Sequence, residues 1–187
     1  MSMRETDLID IAGERLRLRS TIPEDGPALV AIRGTEAVRR RWRGDNLEAE
    51  FAKDFEDEET VRLTIEANGT IIGLIQFSEE EDPDYRHASL DIYVDPAVHR
   101  RGYATEAIRI LVDHLFEALG HHRLTIDPAA DNDAAIHCYT SVGFRPVGVL
   151  RGYERQPDGS WADGLLMEML AGDRNDEFHA DPGDIGG

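Results

Sequence analysis

The strongest constraint on the fold is a run of three segments, two of which alternate apolar and polar residues. Residues 61–66 alternate strictly, Asn68-Gly69 then supplies a tight turn into the apolar segment 70–77, and residues 88–94 alternate again. Alternation with a period of two is typical of strands that bury one face, and an Asn-Gly pair favours a two-residue hairpin. The run therefore predicts three strands, the first two of them joined as a hairpin.

Helical and shorter strand patterns surround this run. The helical stripes cover residues 104–119 and 135–142, and the strand patterns cover residues 16–19, 124–126, 147–150 and 165–170. The second helix is predicted to end at Gly143, since glycine readily adopts the left-handed conformation of a helix cap. We expect an α/β (α+β) fold, with a mixed, mostly antiparallel central sheet of about six to seven strands and helices on both faces.

The two ends of the chain differ from this patterned part. Residues 1–10 form a polar lead-in that contains no apolar segment of the kind found in secretion signals. Residues 172–187 are acidic and lack periodic apolar residues, so we expect a disordered tail. Residues 11–171 are predicted to form a single domain.

The composition narrows the classes of partner. The chain has 20 Lys and Arg residues against 38 Asp and Glu residues, a formal net charge of −18. Such a charge repels a phosphate backbone, which argues against nucleic acid and favours small or cationic partners. No apolar run is long enough to span a membrane. The single cysteine, Cys138, fits a reducing compartment, so we expect a cytoplasmic protein.

One segment, residues 94–106, places two arginines and a glycine between a strand and a helix. Backbone N–H groups at such a helix start favour an anion, and Gly102 lets a diphosphate approach the main chain closely. Arg100 and Arg101 could neutralise the remaining charge. The spacing of the segment excludes the loops that bind nucleoside triphosphates and those that bind dinucleotides. An ordinary turn with solvated arginines is the alternative interpretation.

A second segment makes the interpretation of the first segment more specific. It reads N-x-x-A-x-x-x-Y-x-x-x-G-F from Asn132 to Phe144. Together the two segments resemble the GNAT superfamily of N-acetyltransferases, over residues 16–170 and in the same element order. The resemblance implies the GNAT fold, acetyl-CoA (CoA) as acyl donor, a loop that holds its pyrophosphate, and a later segment that lines the pantetheine arm. His99 departs from the family, in which Arg or Gln is usual.

The resemblance implies a set of donor-binding residues. They are Ile92, Tyr93, Val94, His99, Arg100, Arg101, Gly102, Tyr103, Ala104, Thr105, Asn132, Ala135 and Tyr139. It also implies that the hydroxyl of Tyr139 protonates the departing CoA thiolate, whereas the pattern alone would make Tyr139 a core aromatic. In the family, a bulge in the strand at residues 92–94 lets the pantetheine pair with that strand, whose N–H groups hold the oxyanion.

The acceptor side is less defined. Acetyl transfer to an amine needs a carboxylate that attracts the ammonium ion and removes its proton, and Asp91 points away from the core side of its strand. An ordinary solvent-facing aspartate is the alternative. The segment from Thr125 resembles the aminoglycoside 6′-N-acetyltransferases, which implies acceptor contacts from Gln76 and Asp91. Asp127 could bind a second amine or merely end a strand, and Trp42 is a candidate acceptor-site aromatic.

The sequence thus predicts an acetyl-CoA-dependent N-acetyltransferase that acts on a primary amine of a cationic small molecule, such as the 6′-amino group of an aminoglycoside antibiotic. Two alternatives stay open. The stretch R-G-Y-A-T-E-A is frequent in RimJ/RimL-like protein N-terminal acetyltransferases, and a non-catalytic acyl-CoA-binding regulatory domain could keep the same fold. We expect no metal, because the histidines have no partner at ligand spacing. The protein is expected to be a monomer or a homodimer.

Overall fold

The structure, a computed structural model, describes residues 8–57 and 59–173. Within these ranges the strands are β1 Asp10–Ala12, β2 Arg17–Ser20, β3 Thr60–Ala67, β4 Thr70–Glu80, β5 His87–Val94, β6 Arg123–Ile126, β7 Arg145–Arg155 and β8 Trp161–Leu170. The α-helices are α1 Gly26–Arg33, α2 Glu36–Arg39, α3 Leu47–Asp54, α4 Tyr103–Glu117 and α5 Asp133–Val142.

All of these strands join one sheet in the order β1-β2-β3-β4-β5-β6-β8-β7. Every neighbouring pair in the sheet is antiparallel except β5 and β6, which are parallel. This pair is in register only at Ala88↔Leu124 and Ser89↔Thr125. No further pair joins the two strands, and β6 ends at Ile126 while β5 continues to Val94. The gap beside the end of β5 is called the cleft below.

Helices cover both faces of the sheet, because the strands alternate apolar residues toward two cores. The larger core lies on the α4 and α5 side, where α4 contributes Ile108, Leu111 and Leu115, all of them fully buried. The smaller core lies on the other face, beneath α1 and α3, and contains Leu29 together with Tyr93 of β5.

The predicted architecture is confirmed, with two corrections. Asn68 and Gly69 both have positive φ angles, 50° and 74°, as the predicted two-residue hairpin requires. The sheet has eight described strands rather than six or seven, because β1 adds a short edge strand. The closing hairpin is longer than the predicted segments 147–150 and 165–170, since β7 and β8 extend toward the turn at Pro157.

The polar ends fall largely beyond the structure. Residues 1–7 and 174–187, most of the predicted lead-in and tail, lie outside the described residues, and β1 begins at Asp10. Among the described helices, none has the length and the apolar character that crossing a membrane would require.

Candidate active site

The cleft between β5 and β6 brings two carboxylates together. Ser89 and Thr125 are register partners whose hydroxyl oxygens lie 2.9 Å apart. Asp91 lies two residues beyond Ser89 on β5, and Asp127 directly follows the end of β6. The two carboxylates are close enough for the charge of Asp127 to raise the pKa of Asp91. No described basic residue forms an ion pair with either of these carboxylates. The cleft therefore carries negative charge that the described part of the chain leaves uncompensated.

The electrostatics of Asp91 are those of an enclosed group. Asp91 keeps accessible surface in the cleft, but the protein atoms around it desolvate its carboxylate and raise its pKa to about 7. The negative charges of Asp127 and Glu154 add to this rise, whereas a hydrogen bond from the Ile92 N–H opposes it. Asp91 therefore exchanges its proton close to neutral pH, as a general base must.

The backbone of β5 presents polar groups to the same cleft. The N–H of Asp95 donates to the carbonyl of Ile72 at 2.7 Å. Because backbone groups of successive strand residues point to opposite sides, the N–H and C=O groups of the even-numbered residues of β5 point away from β4. The N–H of Ile92 donates to its neighbour Asp91 at 2.8 Å, and the carbonyl of Val94 lies 3.0 Å from Nε2 of His99. The β4–β5 register runs from Gly73↔Val94 without a shift, so the bulge implied by the family is not present in this pairing.

Tyr139 approaches the carboxylates from α5. Its side chain is 6% exposed and packs against Phe144, with 6.3 Å between the ring centroids. Burial raises the pKa of its phenol, and the charges of Asp91 and Asp127 contribute to the rise. None of the described residues forms a hydrogen bond with the hydroxyl. Tyr139 is therefore a protonated donor within the electrostatic range of Asp91.

The predicted pyrophosphate loop connects β5 to α4. Arg100 has a φ angle of 61° and Gly102 a φ angle of 80°, and α4 begins at the next residue, Tyr103. Arg100 and Arg101 are exposed, and neither forms an ion pair with another residue in the described ranges. The loop thus combines a helix N-terminus with two available guanidinium groups, the arrangement that suits a diphosphate.

Sequence reasoning missed Arg15, which holds this loop from the β1–β2 connection. Its Nη1 donates to the carbonyl of Arg101, and its Nε donates to Glu106, both at 2.8 Å. Its guanidinium also lies 5.0 Å from the centre of the Tyr103 ring. A Cβ at Gly102 would lie 3.1 Å from Nη2 of Arg15. The contact spans 86 residues of sequence between Arg15 and Arg101, so no local pattern could reveal it.

The start of α5 forms the neighbouring wall on the donor side. The side chain of Asn132 accepts a hydrogen bond from the N–H of Ala135 at 3.4 Å and so caps the helix. The hydroxyl of Thr105 in α4 lies 3.4 Å from the sulfur of Cys138. Ala104 and Ala135 are small and partly buried at these two helix starts. The predicted donor residues of α4 and α5 thus lie near the starts of two helices in direct contact, whereas the others lie on β5 and in the loop.

On the acceptor side, the structure brings Trp42 and Gln76 together. Both line a cavity of about 20 Å³ that Tyr93 also borders, and Trp42 meets the Tyr93 ring edge to face at 4.8 Å. Gln76 is the register partner of Asp91, so their side chains share one face of the sheet. The side chain of Tyr93 belongs to the smaller core, which leaves only its backbone for the predicted donor contact.

Two residues of β7 lie beside the predicted acceptor residues, and sequence reasoning missed both of them. The Tyr153 hydroxyl donates a hydrogen bond to Oδ2 of Asp127. Glu154 pairs with Arg43 at 2.9 Å, and Arg41 pairs with Asp131 at 2.8 Å. The basic segment that contains Trp42 therefore bridges to the rim of the cleft by ion pairs. In the sequence, the only local indication of these contacts is a glycine next to an aromatic residue at 152–153.

The described residues contain no group of three or more His, Cys, Asp and Glu side chains placed to hold a metal ion. The described residues place the Asp91 carboxylate and the Tyr139 phenol within electrostatic range of each other, and the predicted pyrophosphate loop follows the strand that carries Asp91.

Comparisons with known proteins agree with this arrangement. Residues 15–145 match the family model described as "Acetyltransferase (GNAT) domain". The uncharacterized N-acetyltransferase YoaA of Bacillus subtilis is 30% identical over 154 residues, which cover 76% of this chain and 86% of that protein. The spermidine N(1)-acetyltransferase of Escherichia coli K12 is 27% identical over 158 residues, which cover 81% of this chain and 84% of that protein.

The fold also matches solved structures. RimJ of Mycobacterium smegmatis, solved in complex with CoA-disulfide, superposes with a TM-score of 0.74 at 24% identity. The superposition covers 88% of this chain and 86% of that chain. The chain therefore belongs to the GNAT family of acetyltransferases, and it is an acetyltransferase enzyme whose acyl donor is acetyl-CoA. The family assignment made from the two sequence segments is confirmed.

Proposed function

We propose that this enzyme acetylates a primary amine of a cationic small molecule that carries at least two ammonium groups. The observation that carries the proposal is the pair Asp91 and Asp127, which face one cleft without a basic partner in the described chain. Glu154 also faces this cleft, but Arg43 compensates its charge. An acceptor with two positive charges would neutralise the two remaining carboxylates.

The proposed reaction is a direct transfer. Asp91 attracts the reacting ammonium and takes a proton from it, so that the free amine attacks the thioester carbonyl of acetyl-CoA. The N–C bond forms, and as the tetrahedral adduct collapses the C–S bond breaks and the hydroxyl of Tyr139 protonates the leaving thiolate. The surplus proton on the amide nitrogen returns to the Tyr139 phenolate, and the proton held by Asp91 leaves to solvent. The N–H groups on the open side of β5 are the candidate oxyanion donors, although Asp91 already accepts the N–H of Ile92. The products are an N-acetylated amine and CoA.

Two cationic acceptors fit this proposal. The resemblance of residues 125–139 to the aminoglycoside 6′-N-acetyltransferases supports a 6′-amino group, and the relative in Escherichia coli is named for its action on spermidine. Both acceptors present several ammonium groups, so both satisfy the paired carboxylates. We place the reaction in the cytoplasm, which suits a chain whose single cysteine is not part of a disulfide.

Protein N-terminal acetylation is the second candidate. The stretch R-G-Y-A-T-E-A at residues 101–107 favours it, since this stretch is frequent in RimJ/RimL-like enzymes. A peptide acceptor brings one reacting ammonium at its N-terminus, so it would leave one of the two carboxylates uncompensated unless a basic side chain followed. The charge of the cleft therefore favours the small polycation.

A thiol-release assay with acetyl-CoA tests these assignments. The panel contains spermidine, a kanamycin-type aminoglycoside with a 6′-amino group, its 6′-hydroxy analogue, and short peptides. We expect turnover with at least one of the small polycations. Activity on the 6′-amino sugar but not on its 6′-hydroxy analogue would identify an aminoglycoside as the acceptor and its 6′-amino group as the acetylated group. Activity on peptides alone would contradict the proposal and favour N-terminal acetylation.

A further inference from the structure

A bulge in β7 brings one side chain across the sheet into the cleft. The pairing of β7 with β8 contains Leu150↔Gly164 and Glu154↔Ala162, with a register shift between them. Over this interval β7 uses more residues than β8, so residues 151–153 bulge out of the ladder. Bulges of this kind redirect side chains, and this one occurs beside the candidate active site.

Two glycines make the bulge possible. Gly152 has a φ angle of 57°, which glycine adopts without strain, and its N–H donates to Oδ1 of Asp163 at 2.7 Å. A Cβ on Gly164 would lie only 2.9 Å from Cδ1 of Tyr153. The Tyr153 ring therefore crosses β8 over Gly164, where a side chain would obstruct it.

This crossing lets the Tyr153 hydroxyl reach β6. It donates a hydrogen bond to Oδ2 of Asp127, which leaves Oδ1 of that carboxylate without a hydrogen-bond partner in the described chain. The hydrogen bond and burial raise the pKa of Tyr153 to about 12, so the phenol keeps its proton and remains the donor. Asp127 is thereby held in one orientation beside Asp91.

We infer that Tyr153 is a positioning residue, which holds the Asp127 carboxylate for the second ammonium group of the acceptor while the first reacts at Asp91. This inference rests on the proposed function, because it assigns the second charge of the same acceptor. It makes Tyr153 a determinant of specificity for diamines over monoamines. The residue does not contact the reacting atoms and does not take part in proton transfer.

The test compares two amines of equal chain length, 1,4-diaminobutane and 1-aminobutane, in wild type and Tyr153→Phe. The phenylalanine keeps the ring over Gly164 and removes only the hydroxyl. We expect the KM for the diamine to rise about fivefold to tenfold, because Asp127 loses a charge-assisted hydrogen bond. The KM for the monoamine and the KM for acetyl-CoA should stay within about twofold. A merely structural role would raise the KM for both amines or lower kcat for both.

Two further variants decide whether Tyr153 acts through Asp127. In an Asp127→Asn background the Tyr153→Phe change should have no further effect on the diamine KM, since coupled residues are not additive. Gly164→Ala should reproduce the Tyr153→Phe effect by displacing the ring. The control is Tyr85→Phe, which alters a tyrosine that is 74% exposed, and it should change neither KM.

Three results would overturn the inference. One is an unchanged diamine KM in Tyr153→Phe, the second is an equal change for both amines, and the third is an undiminished effect in the Asp127→Asn background. If wild type itself acetylates no cationic amine, the proposed function fails and the inference fails with it. The wild-type measurement therefore shows whether the proposed function has failed or only the inference about Tyr153.

Discussion

The two sides of the cleft are built in different ways. The predicted donor side is one continuous stretch from the end of β5 through the loop to α4, with the start of α5 beside it. The proposed acceptor side combines side chains from β4, β5, β7, the end of β6 and the segment after α2. The donor side thus depends on local backbone geometry, whereas the acceptor side depends on the sheet.

This difference has a chemical reason. CoA presents the same diphosphate to every enzyme that binds it, and a helix start with a glycine recognises it through main-chain N–H groups. An amine acceptor is recognised by charge and position, so its binding groups are side chains that the sheet must bring together. Changes on the donor side should alter the KM for acetyl-CoA, and changes on the acceptor side should alter the reaction of the amine.

The largest effect is expected from Asp91→Asn. The amide cannot accept the proton of the ammonium, so kcat/KM for the amine should fall about 10²-fold to 10³-fold. The KM for acetyl-CoA should stay within about twofold if the two sides are separable. Steady-state kinetics with each substrate varied in turn measures both. A parallel loss of CoA binding would show that Asp91 supports the donor side and would remove the distinction.

The pH dependence of the same reaction provides a control. The pKa of Asp91 is raised to about 7, and only the ionised carboxylate accepts a proton. In wild type kcat/KM should therefore rise about tenfold per pH unit below this pKa and level off above it. In Asp91→Asn the levelling near pH 7 should be absent, because the residual activity then follows the fraction of free amine, which continues to rise above this pH.

A smaller effect is expected on the donor side from Gly102→Ala. Gly102 has a φ angle of 80°, and an added Cβ would meet Arg15 at 3.1 Å. The strain of about 1–2 kcal/mol should distort the loop and raise the KM for acetyl-CoA about tenfold, with kcat nearly unchanged.

Gly69→Ala is the matched control for this variant. Gly69 has a similar φ angle of 74° but lies in the β3–β4 hairpin, with no atom within 4 Å of an added Cβ. This substitution should lower the free energy of unfolding without changing the KM for acetyl-CoA. Equal KM values in the two variants would show that the strain at residue 102 is unrelated to binding.

Most of the predicted donor side could be located from the sequence because its signals are local. Gly102, the two arginines and the helical stripe of α4 are contiguous, and the Asn68-Gly69 turn defined the β3–β4 hairpin. Asp91 could be placed on the cleft side of its strand by alternation alone. The catalytic roles of Asp91 and Tyr139 remain predictions, although the structure places both residues at the cleft.

The acceptor side could not be derived in this way. The proximity of Asp91 and Asp127 depends on the pairing of β5 with β6, and the contact of Tyr153 depends on a bulge and on Gly164 in the adjacent strand. A register and a bulge arise from packing between distant segments, which no short pattern encodes. Arg15 was missed for the same reason, although it serves the donor side.

Arg15→Ala should give a still smaller effect on the donor side. The variant loses the hydrogen bonds to Arg101 and Glu106, so the loop becomes less ordered before CoA binds. We expect the KM for acetyl-CoA to rise about threefold to fivefold, with kcat and the amine KM unchanged. Arg17→Ala is the control, because Arg17 forms an exposed ion pair with Asp10 on the neighbouring strands. A rise in the amine KM would indicate that Arg15 also supports the acceptor side.

The smallest effect concerns the stability of the acceptor side. Folding raises the pKa of Asp91 from 3.8 to about 7, so the folded chain holds a proton that the unfolded chain releases between these pH values. The free energy of unfolding should therefore fall as pH rises through this window, and the loss should be complete above pH 7. Water reaches Asp91 in the cleft, which reduces the loss to on the order of 1 kcal/mol.

Asp91→Asn should remove this dependence, because the amide stays neutral at every pH. The variant should unfold about 2–4 °C above wild type at pH 8, and the difference should vanish near pH 4. Thermal unfolding at the two pH values measures this shift, with Asp95→Asn as a control that alters a neighbouring carboxylate outside the cleft. A variant that is inactive and yet more stable at pH 8 would show that the uncompensated charge is retained for the acceptor. Equal stability at both pH values would instead place Asp91 in ordinary solvent and weaken its assignment as the base.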